Sequence, residues 1–457
     1  MLRRKLVFIV VIFIILMGCL TACGENGFSL ENSEEKSQES SIAVNRESAN
    51  VEKSEETERL VLAVVTSSPA LSRAIVEYNK LDRGYYVELK TYTEDEIYQL
   101  VSEIEDGSLK LQTEILSQDA PDLIGLTYLS VENYMESGIL EDLSPWLTQS
   151  ARLKRSDFRE SVLRGMTYQD KLAAIPAYLS VDFFSGKSKF LGESEGISME
   201  GLMAVAQAYS DMQLLYNGTR SDIFDLFTLC LDQFWDEKKK ECYFDSPLFA
   251  QILALCEQYP VYKKTYVQTE EEALFAEDKV LLVKQSFIAL GHLKIKEQRL
   301  GGEKQTLLGY PTPDGTLGCI IAVDDAFGMV STSEHKEGAW DFLECFLSGE
   351  LDKLNPSAEE YESRIPVRLD KWNQILERAK QGDYDGTKNI APMEEEEIRQ
   401  LENLLDHAVI ATDMDYAILQ ILGEELEAFF KGTKNAEETI WVLQNRVNLL
   451  LQEKSSN

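Results

Sequence analysis

The chain has 457 residues, of which 44% are hydrophobic and 27% are charged. This composition excludes collagen, coiled coils and wholesale disorder, and the length suffices for two or three domains with large cores. The formal net charge is −34, from 45 basic and 79 acidic residues, which argues against nucleic acid as a partner because phosphates are repelled. The histidines His292, His335 and His407 lie far apart, without HxH or HxxxH spacing, so no metal site is predicted.

Residues 1–22 are typical of an export signal. Basic residues at positions 3–5 precede an uncharged apolar run over 6–17, which is too short for a comfortable membrane span. The next segment, LTAC at Leu20–Cys23, resembles the lipobox of bacterial lipoproteins. We therefore expect cleavage to leave Cys23 as a lipid-bearing N-terminus that holds the protein on the extracytoplasmic face of a cell membrane. Lipidation at Cys19 and an ordinary secretory signal remain open alternatives.

Residues 23–58 predict a disordered acidic tether. Positions 24–58 carry ten acidic side chains and one aromatic residue, Phe28, without an apolar period. No second apolar stretch of membrane-spanning length follows, so we expect the remainder to be soluble. Five cysteines lie beyond the tether, and their odd number and the lack of a CxxC motif predict buried thiols, with one disulfide left open.

The folded part opens with a strand, a helix and a second strand. The apolar run over 59–65 predicts a buried strand, Ser68-Pro69 is typical of a helix start, and 86–92 alternates like a strand. This order favours a right-handed crossover in an α/β sheet, where ligands bind beyond the carboxyl ends of the strands. Thr66, Ser67 and Ser68 would lie there, beside the free N–H groups of a helix N-terminus.

Further strands and helices follow in the same manner. A helical pattern at 111–116 leads to a short strand over 120–124. Thr127 and Tyr128 follow that strand at its carboxyl end, so they are candidate ligand-binding residues. The downstream pattern predicts strands at 171–176, 279–283 and 326–330, and helices at 131–137, from Ser333, near 393–431 and at 436–453.

Nine segments between residues 59 and 453 carry a family resemblance. They read, in order, VVTSSPALSRAIVEYNK, LQTEILSQDAPDLIGL, YMESGILEDLSPWL, YQDKLAAIPAYLSV, FWDEKKKECYFDSPLF, LLGYPTPDG, HKEGAWDFLECFLSGE, IPVRLDKW and FFKGTKNAEETIWVLQNRVNLLLQE. In this order, behind a lipobox, they resemble the family 1 extracellular solute-binding proteins of sugar ABC importers.

The resemblance implies an α/β fold of the periplasmic-binding-protein-like type II class. Two α/β lobes would be joined by a hinge of several chain crossings, with a ligand cleft between them. The N-terminal lobe would comprise 59–177 and 312–362, and the C-terminal lobe 178–311 and 363–457. The lobes would close over a ligand that binds the closed state more tightly than the open one.

The resemblance also implies a monomeric receptor without catalytic activity, cofactor or metal. It would deliver a small-molecule ligand, a carbohydrate, to the transmembrane permease subunits of an ABC importer. Ligand contacts are expected at the first crossing, in the second lobe, and on a second-lobe strand whose preceding segment, Glu277–Leu282, departs from the family pattern. The candidates are Tyr178 and Ser180, Ser221 and Asp222, and Ser286 and Phe287.

Tryptophans are candidate platforms for the apolar face of a sugar ring. Trp235 and Trp372 are either such platforms or core residues, because their surroundings show no strong pattern. Trp146, Trp340 and Trp441 are predicted to lie in the core; Trp340 and Trp441 fall on apolar helix faces.

Three alternatives to sugar transport remain open. They are a receptor for a non-sugar solute, a lipoprotein that presents a ligand to a sensor, and a carbohydrate-active enzyme. For the enzyme, no sequence feature selects a pair of carboxylates, and the chain contains neither a G-x-S-x-G nucleophile elbow nor a G-x-x-x-x-G-K-[ST] phosphate loop.

Overall fold

A computed structural model describes residues 57–93, 101–117, 119–127, 129, 131–193, 195–236, 238–351, 364–384, 390–410 and 416–453. The predicted signal, the predicted tether with Cys23, and the candidate Tyr128 lie outside the described residues. Among the residues that are described, no helix combines the length and the apolar character needed to cross a membrane.

The central element is a mixed sheet. The strands of the described residues are β1 (Glu58–Val64), β2 (Tyr85–Thr91), β3 (Leu123–Gly125), β4 (Thr167–Tyr168), β5 (Lys171–Leu172), β6 (Ile175–Lys187), β7 (Gln213–Leu215), β8 (Trp235–Asp236), β9 (Glu241–Cys242), β10 (Val280–Phe287), β11 (Gln305–Leu307), β12 (Cys319–Met329), β13 (Ile365–Pro366) and β14 (Ala408–Ile410). In the sheet they run in the order β2-β1-β3-β12-β6-β10-β7. Strands β11 and β13 pair with β6, β14 pairs with β12, and β4-β5 and β8-β9 form small separate ribbons.

Helices connect and cover these strands. Short 3₁₀ turns lie at Arg155–Asp157 and Thr228–Phe234. The α-helices are α1 (Pro69–Asn79), α2 (Val101–Ile115), α3 (Val131–Glu136), α4 (Ser144–Gln149), α5 (Glu160–Gly165), α6 (Ser188–Leu191), α7 (Met199–Ala208), α8 (Arg220–Asp225), α9 (Pro247–Glu257), α10 (Gln268–Ala276), α11 (Leu290–Arg299), α12 (Lys336–Ser348), α13 (Leu369–Ala379), α14 (Glu395–Asp406), α15 (Tyr416–Phe430) and α16 (Ala436–Glu453).

The strand–helix–strand opening is confirmed. Strands β1 and β2 are parallel, as a crossover through α1 requires, and β3 lies parallel to β1 on its other side. Helix α1 begins as predicted, because the Oγ of Ser68 accepts a hydrogen bond from the backbone N–H of Leu71 at 2.9 Å and Pro69 occupies the first turn. This start positions the N-terminus of α1 at the carboxyl end of β1.

The two longest strands, β6 and β12, are antiparallel neighbours in the middle of the sheet. The predicted strands at 171–176 and 326–330 overlap only one end of each. Strand β6 continues to Lys187, and β12 begins at Cys319. Buried apolar side chains form two large clusters, the first around Leu60 and Leu123 and the second around Phe249 and Leu443. Strand β6 reaches both, since Val181 belongs to the first cluster and Phe184 to the second. These strands therefore connect the two cores.

The C-terminal third divides between the two cores. Buried residues from Ile365 to Ile410 belong to the first cluster, and those from Ile418 to Leu451 belong to the second. The sequence prediction, by contrast, assigns all of 363–457 to the C-terminal lobe. The predicted helix near 393–431 is two helices, α14 and α15, with strand β14 between them, and β14 pairs with β12.

Buried side chains agree with most of the sequence predictions. All five described cysteines are buried free thiols, so no disulfide forms among them. Trp146 and Trp340 pack on each other with ring centroids 6.1 Å apart. The prediction for Trp441 was wrong, because its helix turns it outward and 69% of the residue is exposed.

Candidate functional site

A cavity of about 260 Å³ lies at the carboxyl ends of β1 and β3. Four residues predicted from the sequence line it, namely Thr66, Ser67, Ser68 and Thr127. They meet there because the carboxyl ends of parallel neighbouring strands lie at one edge of a sheet. The cavity thus combines hydroxyl groups with the first turn of α1, whose backbone N–H groups have few partners within the helix.

The opposite wall of the cavity is charged, and the sequence did not single it out. It consists of Asp324 and Asp325 from β12 and of Arg364, which directly precedes β13. The Nη1 of Arg364 donates to Asp324 at 2.7 Å and its Nη2 donates to Asp325 at 2.8 Å. Ser68 also donates to Asp325, at 3.0 Å, so this wall is bonded to the start of α1.

Asp325 is held in an unusual environment. It is only 6% exposed, and its φ of 49° lies in the left-handed region, which side chains rarely adopt. The pKa of Asp325 is raised to about 6: burial raises it most and the charge of Asp324 also raises it, whereas Arg364 and Ser68 lower it. Backbone strain and raised carboxyl pKa values are both common at functional sites, so this charged wall is a candidate site.

Alternating side chains of β6 extend the site away from the cavity. Tyr178, Ser180 and Asp182 share one face of β6, and the buried Leu179 and Val181 share the other. The register of the neighbouring strands places further polar residues on the same face: Asp324 of β12 lies opposite Tyr178, and Ser286 of β10 lies opposite Asp182. We call this row the polar strip; its members are Tyr178, Ser180, Asp182, Lys284, Ser286 and Asp324.

The far end of the polar strip is also charged. Lys284 pairs with Asp182 at 3.3 Å, and Asp182 is 8% exposed. Beyond them lies Asp225, at the end of α8. The pKa of Asp225 is raised to about 7: burial raises it most and the charge of Asp222 also raises it, whereas Lys284 and Lys263 lower it. The polar strip therefore links two charged groups, one beside each hydrophobic cluster.

Two predicted second-lobe residues serve the start of helix α8. The carboxylate of Asp222 accepts hydrogen bonds from the N–H and hydroxyl of Thr219, at 2.9 and 2.7 Å, in a capping box. Lys263 donates to the same carboxylate at 3.1 Å, and the hydroxyl of Ser221 lies 3.1 Å from that of Thr219. Their polar atoms are thus engaged within the fold.

The other aromatic candidates lie in the cores rather than at the cavity. Phe287 is 2% exposed and packs edge-on against Phe183. Trp372 is 1% exposed and donates its indole N–H to Glu402. Trp235 is half-buried and stacks on a buried phenylalanine, Phe244, with centroids 6.4 Å apart. Of the described aromatic residues among the predicted ligand contacts, Tyr178 alone lies on the polar strip.

Nothing in the described part of the chain forms a metal centre: no group of three or more histidine, cysteine or acidic side chains there could hold an ion. The charged groups at the cavity pair with one another instead. Together with the hydroxyl groups, they offer hydrogen-bond donors and acceptors to an uncharged polar ligand.

Solved structures share this fold. No protein-family model matches the chain, and no curated protein matches its sequence. The sugar-binding protein MalE from Xanthomonas citri superposes with a TM-score of 0.57 at 14% identity, over 87% of this chain and 98% of that one. A solute-binding protein from Thermotoga lettingae, bound with α-D-tagatose, gives 0.53 at 16%, over 86% and 100%. A substrate-binding protein from Listeria monocytogenes in complex with cycloalternan gives 0.53 at 14%, over 87% and 99%. The predicted periplasmic-binding-protein-like α/β fold is confirmed.

Proposed function

We propose that the chain is a family 1 extracellular solute-binding protein that delivers a sugar or oligosaccharide to an ABC importer. The observation that carries the proposal is the cavity at the carboxyl ends of β1 and β3, which shares Asp324 with the polar strip on the strands that connect the two cores. The fold shared with sugar-binding proteins supports the same function.

The chemistry of the site suits a carbohydrate. Sugar hydroxyl groups both donate and accept hydrogen bonds, and the hydroxyls of Thr66, Ser67 and Thr127 do the same. The ring of Tyr178 offers an aromatic face for the apolar side of a sugar ring. Closure of the two lobes would exclude water from these contacts and strengthen them, provided that the ligand binds the closed form better.

In this proposal the receptor binds its ligand without chemical change. Cys23 carries lipid, and the acidic tether keeps the receptor close to the permease and so raises its effective concentration there. Incorporation of radiolabelled palmitate tests the anchor. We expect Cys23→Ser to abolish labelling and Cys19→Ser to leave it intact; the reverse pattern would move the lipid to Cys19.

A thermal-shift screen of the full chain in detergent tests the ligand class. Maltose, D-tagatose and a cyclic oligosaccharide are compared with amino acids and polyamines. A ligand at 100 times its Kd should stabilise the folded protein by about 2.7 kcal/mol. Chromatography of the sugar after incubation should show that it is unchanged, because no reaction is proposed.

Matched variants locate the binding site. Thr127→Val removes a hydroxyl that lines the cavity, and Thr113→Val removes an exposed hydroxyl on α2 that does not. We expect only Thr127→Val to reduce the sugar-induced shift. A shift with amino acids or polyamines and none with any carbohydrate would replace the sugar receptor by a receptor for a non-sugar solute.

A further inference from the structure

The ring of Tyr178 is covered by a side chain of the protein itself. The guanidinium carbon of Arg364 lies 3.9 Å from the centroid of the Tyr178 ring, a stacking distance. Arg364 lines the cavity and also lies over one face of the Tyr178 ring. That face, on which a sugar ring could stack, is therefore occupied by a flat cation.

Backbone pairing sets Arg364 at this position. In β13, Ile365 pairs with Leu179 and Pro366 pairs with Tyr178, so the residue immediately before β13 is fixed beside the ring. The pairing of β13 with β6 is made by backbone atoms, so the guanidinium can leave the ring by a change of side-chain rotamer while the Cα of Arg364 stays in place. Movement of the guanidinium thus requires no change in the sheet.

Three interactions hold the guanidinium on the ring. Two are charge-assisted hydrogen bonds, to Asp324 at 2.7 Å and to Asp325 at 2.8 Å, and the third is the cation–π contact with Tyr178. The arginine side chain is 17% exposed, so water screens these contacts less than at an open surface. A ligand that stacks on Tyr178 must replace at least the cation–π contact.

We propose that Arg364 is a specificity-determining residue that competes with the ligand for the ring of Tyr178. This inference rests on the proposed function. An uncharged sugar binds only after the guanidinium leaves the ring, and sugars whose hydroxyls also bond to Asp324 or the released guanidinium offset the lost contact. A sugar that offers only an apolar face is rejected. The arginine thereby converts a permissive aromatic platform into a selective one.

Calorimetric titration of the full chain with maltose and with D-tagatose tests the proposal. We expect Arg364→Ala to lower the Kd for a sugar that stacks on the ring by about five- to thirtyfold, the equivalent of a partly desolvated cation–π contact. Adding Tyr178→Leu to this variant should abolish the gain. Arg155→Ala is the control, because Arg155 is an exposed arginine that pairs with Glu160. The Kd of this variant for the sugar should equal that of the wild type.

Loss of Arg364 leaves Asp325 buried without its partner, which could unfold the variant. The double variant Arg364→Ala with Asp325→Asn removes this imbalance and is titrated in parallel, with circular dichroism as the check on folding. The same decrease in Kd is expected. If the wild type binds a sugar and both Arg364 variants bind it equally or more weakly, the competitor role is refuted and the receptor function stands. If no protein in the series binds these two sugars or any carbohydrate of the thermal-shift screen, the sugar-receptor function itself is refuted, and the inference with it.

Discussion

Replacement of Asp325 by asparagine should make the protein more stable at neutral pH. The carboxylate is 6% exposed and keeps a raised pKa despite hydrogen bonds from Ser68 and Arg364. Burial therefore outweighs these partners, and the folded state prefers the neutral form. Asparagine is neutral, has nearly the same shape, can still accept both hydrogen bonds, and tolerates the left-handed backbone at φ 49°.

The pKa of Asp325 gives the size and the sign of the effect. The carboxyl group titrates near 3.8 in the unfolded chain and at about 6 in the folded protein. Between these values the folded state binds more protons, so this group lowers the free energy of unfolding as the pH rises. Above about pH 6 the loss is complete and amounts to about 3 kcal/mol, because each pKa unit corresponds to about 1.4 kcal/mol.

Urea denaturation of wild type and Asp325→Asn at about pH 4 and about pH 7 measures the difference. We expect the variant to gain up to about 3 kcal/mol at the higher pH and almost nothing at the lower pH. Asp314→Asn is the control: hydrogen bonds from Thr316 lower the pKa of that exposed carboxyl, so its replacement should bring no gain at neutral pH. If Asp325→Asn is less stable than wild type at neutral pH, the attraction of Arg364 outweighs burial and the reasoning fails.

Four further substitutions test the fold by the same denaturation assay. Trp372→Ala should lower the free energy of unfolding by about 3–5 kcal/mol, because the ring is fully buried. Trp441→Ala, at an exposed ring, should change it by less than about 0.5 kcal/mol. Equal losses in the two variants would contradict the difference in burial. Ser68→Ala removes the cap of α1 and should cost about 1 kcal/mol, and an unchanged midpoint would show that water replaces the cap. Gly338→Ala should destabilise the protein by about 1–3 kcal/mol, although alanine is a better helix former than glycine, because the new Cβ would lie 2.4 Å from the ring of Tyr85. A gain in stability would mean that this ring moves freely.

Local signals in the sequence predicted one wall of the cavity. The apolar run before Thr66 indicated a buried strand, and Ser68 with Pro69 indicated a helix start, so the position of the hydroxyls followed from the rule for parallel strands. Thr127 was found in the same way from the end of the next parallel strand. These predictions needed only neighbouring residues, and the structure brings the four lining hydroxyl residues Thr66, Ser67, Ser68 and Thr127 together.

The charged wall could not be predicted from local signals. Asp325 is 257 residues from Ser68 in sequence, and Arg364 reaches both aspartates only because β13 pairs with β6. Strand β6 was underestimated because it contains a proline near its start and because 181–187 is buried throughout, so the alternation seen at 178–181 does not continue along the strand. Once its register is known, the alternation of Tyr178 and Ser180 with buried neighbours becomes evident.

The position of the polar strip on β6, β10 and β12 has a mechanical consequence. Two of these strands, β6 and β12, also connect the two hydrophobic clusters, so any change in the angle between the clusters must bend the strands that carry Tyr178 and Asp324. A ligand that contacts the strip only at Asp324 binds equally well at every angle. A ligand that also reaches Lys284, at the other end, favours one angle over the others. For a receptor of the proposed kind, closure therefore requires a ligand long enough to touch both charged ends, since an equilibrium shifts only by differential affinity.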